Sequence, residues 1–166
     1  MPAPFADLVP ARRIPACHPR LADWEILTRA AWRAQSDHRL DQALAGHVRA
    51  LWTVEALLEA EEGLLGTHPD DCLAAVVVSH HSLSDLYCRR GHSAPAIGHL
   101  CAPHQLLLSL SCDANAAVQE AARRHMRETR AALLLWQRDY GEHPRIEECL
   151  QLWPPLSQRC GPAYRH

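Results

Sequence analysis

Hydrophobic residues recur every three or four positions along most of the chain, which is the period of an α-helix with one buried face. This pattern predicts helices over about residues 21–36 and about 40–63, with a turn at Ser36 and Asp37 between them. It predicts a second pair of helices that meets at Gly91, and a third pair that meets at Gly141. The sequence therefore predicts an all-α fold of three stacked antiparallel helical hairpins.

Capping residues and one proline refine these boundaries. Ser93 is expected to cap the fourth helix, and Asp113 or Asn115 is expected to cap the fifth. Pro103 lies inside the fourth predicted helix and has no N–H group to donate to the carbonyl of His99. We therefore expect that helix to bend at Pro103.

The periodic pattern also divides the chain into three parts. Residues 1–20 contain five prolines and are expected to form a proline-rich arm. Residues 21–152 are expected to form a single helical domain, because the helical pattern continues through this range. Residues 153–166 contain prolines and a glycine without periodicity, which predicts a flexible C-terminal tail.

Composition and charge exclude several classes of function. The 17 positively charged residues are all arginine, so no lysine is present for Schiff-base chemistry or for a phosphate-binding loop. The net charge is −2, and the arginines are scattered among carboxylates instead of forming a basic stripe. We therefore expect no nucleic-acid partner.

Two features predict a cytoplasmic protein without a membrane partner. The N-terminal residues are interrupted by prolines and contain no unbroken apolar run, so they resemble neither a signal peptide nor a membrane span. The seven cysteines form an odd set without a CxxC pair, which suits reduced thiols better than a disulfide framework.

The stretch LSDLYCRRG, residues 83–91, together with Ala96 and Leu100, resembles the tetratricopeptide repeat. The resemblance implies a right-handed solenoid in which helical hairpins stack side by side. It also implies that His80 belongs to the core, at a position where the repeat prefers a large aromatic residue.

The long connection LLEAEEGLLGTHPDD, residues 57–71, is similar to the long-helix variant of the repeat found in kinesin light chains. More narrowly, DDCLAAVVVSHHSLSDLYCRRG and the later ALLLWQRDYGEHPRI are similar to a small bacterial family of unknown function. This similarity spans about residues 22–150 and implies no activity. Three hairpins are close to the minimum for a solenoid, whose ends need covering. The arm or the last helix could cover an end, or two copies could pair as a homodimer.

The resemblance implies a concave groove that binds a protein or peptide partner. In such repeats the first helix of each hairpin lines the groove. The implied groove residues are Glu25, Thr28, Trp32, Gln35, His81, Asp85, Cys88 and Arg89, with Glu128 and Arg138 added from the third hairpin.

A metal site is the alternative interpretation of part of this surface. His81, Asp85 and Cys88 are spaced so that all three lie on one face of a helix, and these residue types bind zinc. His99 and His104 lie about 140° apart around a helix and chelate together only if the bend at Pro103 reorients them. Terminal pairs, Cys17 with His18 and Cys160 with His166, could bind a metal only if the two ends of the chain meet.

The sequence lacks the catalytic motifs GxSxG, HExxH and GxGxxG. We therefore expect no enzymatic activity and no cofactor. The leading hypothesis is an adaptor or scaffold that binds a protein or peptide through its groove, and the alternative is a metal- or cofactor-binding regulatory protein.

Overall fold

A computed structural model describes residues 18–59 and 63–152. Most of the predicted arm, residues 1–17, and all of the predicted tail, residues 153–166, lie outside the described residues. The same is true of Cys17, Cys160 and His166, which were considered for the terminal metal pairs.

The described chain folds into seven α-helices and contains no strand, which confirms the all-α prediction. A short 3-10 turn, Pro19–Leu21, leads into the first of them. The helices are α1 (Ala22–Ser36), α2 (Leu40–Glu59), α3 (Leu64–Thr67), α4 (Pro69–Arg89), α5 (Ser93–Leu110), α6 (Ala116–Tyr140) and α7 (Pro144–Gln151).

Helices that follow one another in the chain pack side by side. α1 packs along α2 and α4 packs along α5, while α6 contacts α4 and α5. α2 contacts α4, and the short α7 packs against α5 and α6. Helix α4 therefore links the pair α1 and α2 to α5 and α6.

The two main hydrophobic clusters follow this packing. One joins α1, α2 and α4 and includes Trp24, Val54 and Val76. The other joins α5, α6 and α7 and includes Leu100, Leu133 and Ile146. His80 is only 9% exposed, which agrees with its predicted place in the core.

The predicted helix boundaries are largely correct. The side chain of Asn115 accepts hydrogen bonds from the N–H groups of Ala117 and Val118, at 2.9 and 3.4 Å, so Asn115 caps α6. Gly91 and Gly141 have positive φ angles of 75° and 92°, a region that favours glycine because it has no Cβ. Both glycines end their helices as predicted.

Two local predictions need correction. The connection after Gly63 contains an additional helix, α3, held by the buried Leu64, whereas residues 60–62 of the predicted second helix lie outside the described residues. Ser93 does not cap α5, because His92 occupies the cap position and makes no side-chain capping bond. α5 runs through the buried Pro103, and the bend expected there stays a prediction.

Along the described residues, no helix combines the length and the apolar character needed to cross a membrane.

Gly46 allows α1 and α2 to approach closely. A Cβ atom added to Gly46 would lie 2.8 Å from the Cβ of Ala31, and this neighbour cannot move away without shifting the backbone. Gly46→Ala is therefore expected to destabilise the protein by roughly 1–2 kcal/mol, because overpacking exceeds the gain in helix propensity. Chemical denaturation measures this loss.

Gly98 provides the matched control for that substitution. It also lies within a helix, but an added Cβ would contact only the Arg145 side chain, at 3.7 Å. Gly98→Ala is expected to be neutral or to stabilise by up to about 1 kcal/mol. Equal effects of the two substitutions would show that α1 and α2 do not pack closely at Gly46.

Candidate partner-binding site

Three hydrogen bonds between side chains join α1 to α4. Trp24 Nε1 donates to Ser79 Oγ at 2.8 Å, and Trp32 Nε1 donates to Ser82 Oγ at 3.2 Å. One helical turn further along α4, Gln35 Nε2 donates to Asp85 Oδ2 at 2.7 Å. These bonds fix the position of α1 along α4, so the surface beside them is formed before any partner arrives.

Three of the predicted groove residues lie inside this contact and not on its surface. Thr28, Gln35 and Asp85 are 0%, 5% and 9% exposed. The prediction that they line an open groove is therefore wrong. Gln35 on α1 and Asp85 on α4 are buried because they hydrogen-bond to each other across the contact. Thr28 is buried on α1, and its hydroxyl has no hydrogen-bond partner among the described residues.

Arg89 has a different role from the predicted one. Its Nε donates to Asp85 Oδ2 at 2.9 Å, on the same oxygen that accepts from Gln35. The guanidinium of Arg89 therefore balances a buried carboxylate of its own chain. We interpret Arg89 as a residue that positions α4 against α1.

The other predicted residues of the first two hairpins keep part of their surface accessible. Glu25, Trp32, His81 and Cys88 are half-buried. Trp32 lines an open pocket of about 450 Å³ on α1, together with Arg29, Arg33, Ser36 and Asp37.

Arg29 and Arg33 are not among the predicted groove residues. They lie four residues apart and therefore share one helix face beside Trp32, a spacing that was visible in the sequence. They were missed because the groove residues were taken from the repeat pattern, which assigns other positions of α1 to the groove.

The charges around this pocket are only partly balanced. Arg29 forms an ion pair with Glu25 at 2.6 Å, and Asp37 forms one with Arg39 at 2.6 Å. Arg33 is exposed and forms no ion pair with any residue that the structure describes. The pocket therefore presents an available guanidinium next to an indole ring.

The structure does not assemble the predicted metal site. Asp85 is engaged by Gln35 and Arg89, and burial raises the pKa of the Cys88 thiol, which disfavours the thiolate that binds metals. Burial lowers the pKa of His81 to about 4, although Glu128 nearby acts in the opposite direction. Within residues 18–59 and 63–152, no three His, Cys, Asp or Glu side chains are placed to hold a metal ion.

The two histidines considered beside Pro103 contact other residues. His99 Nδ1 lies 3.0 Å from His80 Nδ1, and its ring stacks on Tyr87 with a centroid distance of 5.6 Å. His104 Nδ1 lies 2.8 Å from Thr129 Oγ1, in the contact between α5 and α6. His99 and His104 therefore hold separate packing positions.

The two predicted residues of the third hairpin interact with neighbours on their own helix. Glu128 lies 3.6 Å from His125 Nδ1, and Arg138 donates to Asp139 at 2.7 Å. Both side chains are exposed, at 63% and 64%. Their surfaces are accessible, but the pocket beside Trp32 is lined by α1 and its C-terminal turn.

Comparison with known proteins gives a family but no activity. No curated protein and no solved structure matches the chain. A family model described as a protein of unknown function, DUF2753, matches residues 22–159. This range covers most of the chain and all seven helices, so the protein belongs to the DUF2753 family.

Proposed function

We propose that this protein is a helical adaptor that binds an acidic segment of a protein or peptide partner on the surface of α1. The observation that carries this proposal is the open pocket of about 450 Å³ beside Trp32, with Arg29 and Arg33 in its lining. An open pocket of this kind suits an extended chain better than a small molecule, which binds in enclosed cavities.

The residues of the pocket indicate the chemistry of the partner. Arg33 offers a planar set of donors that matches the geometry of a carboxylate. Trp32 offers a large amphipathic ring that the bond from its Nε1 to Ser82 holds in place, and such a ring favours an apolar or aromatic side chain of the partner. The partner segment is therefore expected to carry an acidic residue next to an apolar one.

The fixed position of α1 favours binding at this surface. Because Trp24, Trp32 and Gln35 are each hydrogen-bonded to α4, the backbone of α1 and the Trp32 indole lose little further freedom when a partner binds. Asp85 and Arg89 contribute to this preorganisation without touching the partner.

The packing of the helices supports a tetratricopeptide-like solenoid as the framework. The contacts of α1 with α2, of α4 with α5, and of α4 with α2 and α6 are those expected of stacked hairpins. Five described cysteines are free thiols, which supports a reducing, cytoplasmic location. The adaptor performs no chemistry of its own in this proposal.

Capture of partners from lysate of the native cell, quantified by mass spectrometry, tests the proposal. The joint change Trp32→Ala and Arg33→Glu is expected to reduce capture by about 30-fold, the effect of losing a binding hot spot of about 2 kcal/mol. Arg33 replaces Arg89 in this experiment, because Arg89→Glu would place a second carboxylate beside Asp85.

Arg123→Glu is the matched control, since Arg123 is an exposed arginine on α6, away from the pocket. It should leave capture unchanged, and all variants should melt within a few degrees of wild type. Capture should also weaken as salt is added, because a guanidinium–carboxylate contact at the surface is screened. A double variant that melts normally and still captures the same partner would rule out this pocket.

A further inference from the structure

The first two helices carry an apolar surface that no described residue covers. Trp52 on α2 and Ile26 on α1 are each 65% exposed, the highest values among the large hydrophobic side chains of the described residues. Ala45, Arg49 and Ala56 are also exposed and share the face of α2 that carries Trp52. We call these four residues of α2, Ala45, Arg49, Trp52 and Ala56, the Trp52 face.

Ile26 lies at the same level as this face. α1 and α2 run antiparallel, and the close approach of Ala31 to Gly46 sets their register. Ile26 comes five residues before Ala31 and therefore lies at the level of residue 51 of α2. Both helices of the pair thus carry a large exposed apolar side chain at this level, which favours an interaction site here.

Two charged residues lie at equal distances on either side of Trp52. Arg49 precedes it by three residues and Glu55 follows it by three. Neither side chain forms an ion pair or a side-chain hydrogen bond with a described residue. Glu55 is half-buried, and burial together with repulsion from Glu59 raises its pKa.

We propose that a second copy of this chain covers the Trp52 face, with the two α2 helices crossing at Trp52. A two-fold dimer requires one surface to be complementary to itself. The surface around Trp52 has this property, because the apolar Trp52 has the cation Arg49 on one side and the anion Glu55 at the same sequence distance on the other. The crossing places Arg49 of each copy beside Glu55 of the other, while the two indoles bury each other.

Light scattering of the purified full chain measures its molar mass over a range of concentrations. We expect twice the chain mass of 18.6 kDa at high micromolar concentration, with dissociation to 18.6 kDa on dilution. Trp52→Glu is expected to be monomeric throughout. Leu134→Glu, a change of a 47% exposed residue on α6, is expected to remain dimeric.

Charge reversal tests the pairing of Arg49 with Glu55. Arg49→Glu and Glu55→Arg should each raise the dimer dissociation constant by about tenfold or more, an effect typical of like charges placed together in an interface. The double reversal should return it to within about threefold of wild type, because the pair is then restored with its signs exchanged.

A wild-type chain that stays monomeric at all concentrations would overturn the proposal, and so would a dimer that survives Trp52→Glu. Failure of the double reversal to rescue the dimer would overturn the crossing at Trp52. The Trp52 face does not include the pocket beside Trp32, so monomeric Trp52→Glu should still capture the acidic partner.

Discussion

Acidification from pH 7 to about pH 4.5 is expected to destabilise the protein by roughly 4 kcal/mol or more, a large part of the stability of a typical domain. The reason is that histidines are buried in their neutral form. Burial, together with the neighbouring His99 and His81, lowers the pKa of His80 to about 3, and burial lowers the pKa of His81 to about 4. As the pH falls, the unfolded chain takes up these protons near pH 6.5, whereas the folded chain takes them up only at a much lower pH.

The direction of the effect follows from this difference in proton binding. Below about pH 6.5 the unfolded state binds more protons than the folded state, so stability falls as the pH falls toward the native pKa values. At about pH 4.5, His80 and His81 each contribute a loss of roughly 2–3 kcal/mol. Burial also lowers the pKa of His99 and His104, which adds to the loss.

One histidine acts in the opposite direction. Burial alone would lower the pKa of His125, but Glu128 and Asp70 outweigh burial and raise it. His125 therefore stabilises the fold below about pH 6.5, and this contribution is lost as the pH rises through its native pKa. A single histidine of this kind does not offset four whose pKa values are lowered.

Urea denaturation at a series of pH values measures the slope of the free energy of unfolding against pH. His80→Phe is expected to reduce the slope between about pH 6.5 and pH 4 by up to about 1.4 kcal/mol per pH unit, the value for one proton. His38→Asn is the control, because His38 is exposed in the turn after α1 and asparagine tolerates its φ of 60°. A stability that stays constant from pH 7 to pH 4.5 would contradict neutral burial of these histidines.

The sequence was sufficient to predict the helices because their apolar periodicity and capping residues agree. Asn115, Gly91 and Gly141 are local signals whose effect depends on one turn of chain. The short helix α3 was not predicted, because its four residues are too few to show a period and Leu64 is held there by packing. Helix ends that depend on local residues could therefore be predicted from the sequence, whereas a helix held by tertiary contacts could not.

The candidate site was predicted less well, for a geometric reason. Trp32 lines an open pocket, but Thr28, Gln35 and Asp85, which were assigned to the same groove, are buried. A rotation of α1 by a fraction of a turn decides whether such a residue faces solvent or α4. That rotation is set by the bonds of Trp24 and Gln35 to α4, which join residues 55 and 50 positions apart.

Trp24→Ala is expected to destabilise the protein by roughly 3–5 kcal/mol, the range for removing a buried tryptophan. Trp24 is 2% exposed and packs in the cluster shared by α1, α2 and α4. Its removal leaves a cavity in that cluster and deletes the bond to Ser79. Thermal and urea denaturation should both show the loss.

Two further substitutions separate the causes of this effect. Trp24→Phe fills much of the cavity, and the Ser79 hydroxyl keeps its bond to the carbonyl of Ala75 at 2.8 Å, so a smaller loss of about 1–2 kcal/mol is expected. Trp52→Ala makes the same change at an exposed position and, in dilute monomeric protein, should cost at most about 0.5 kcal/mol. If Trp24→Ala costs no more than Trp52→Ala, then Trp24 does not lie in the contact between α1 and α4. The fixed surface beside Trp32 would then lose its physical basis, because the same contact holds both tryptophans.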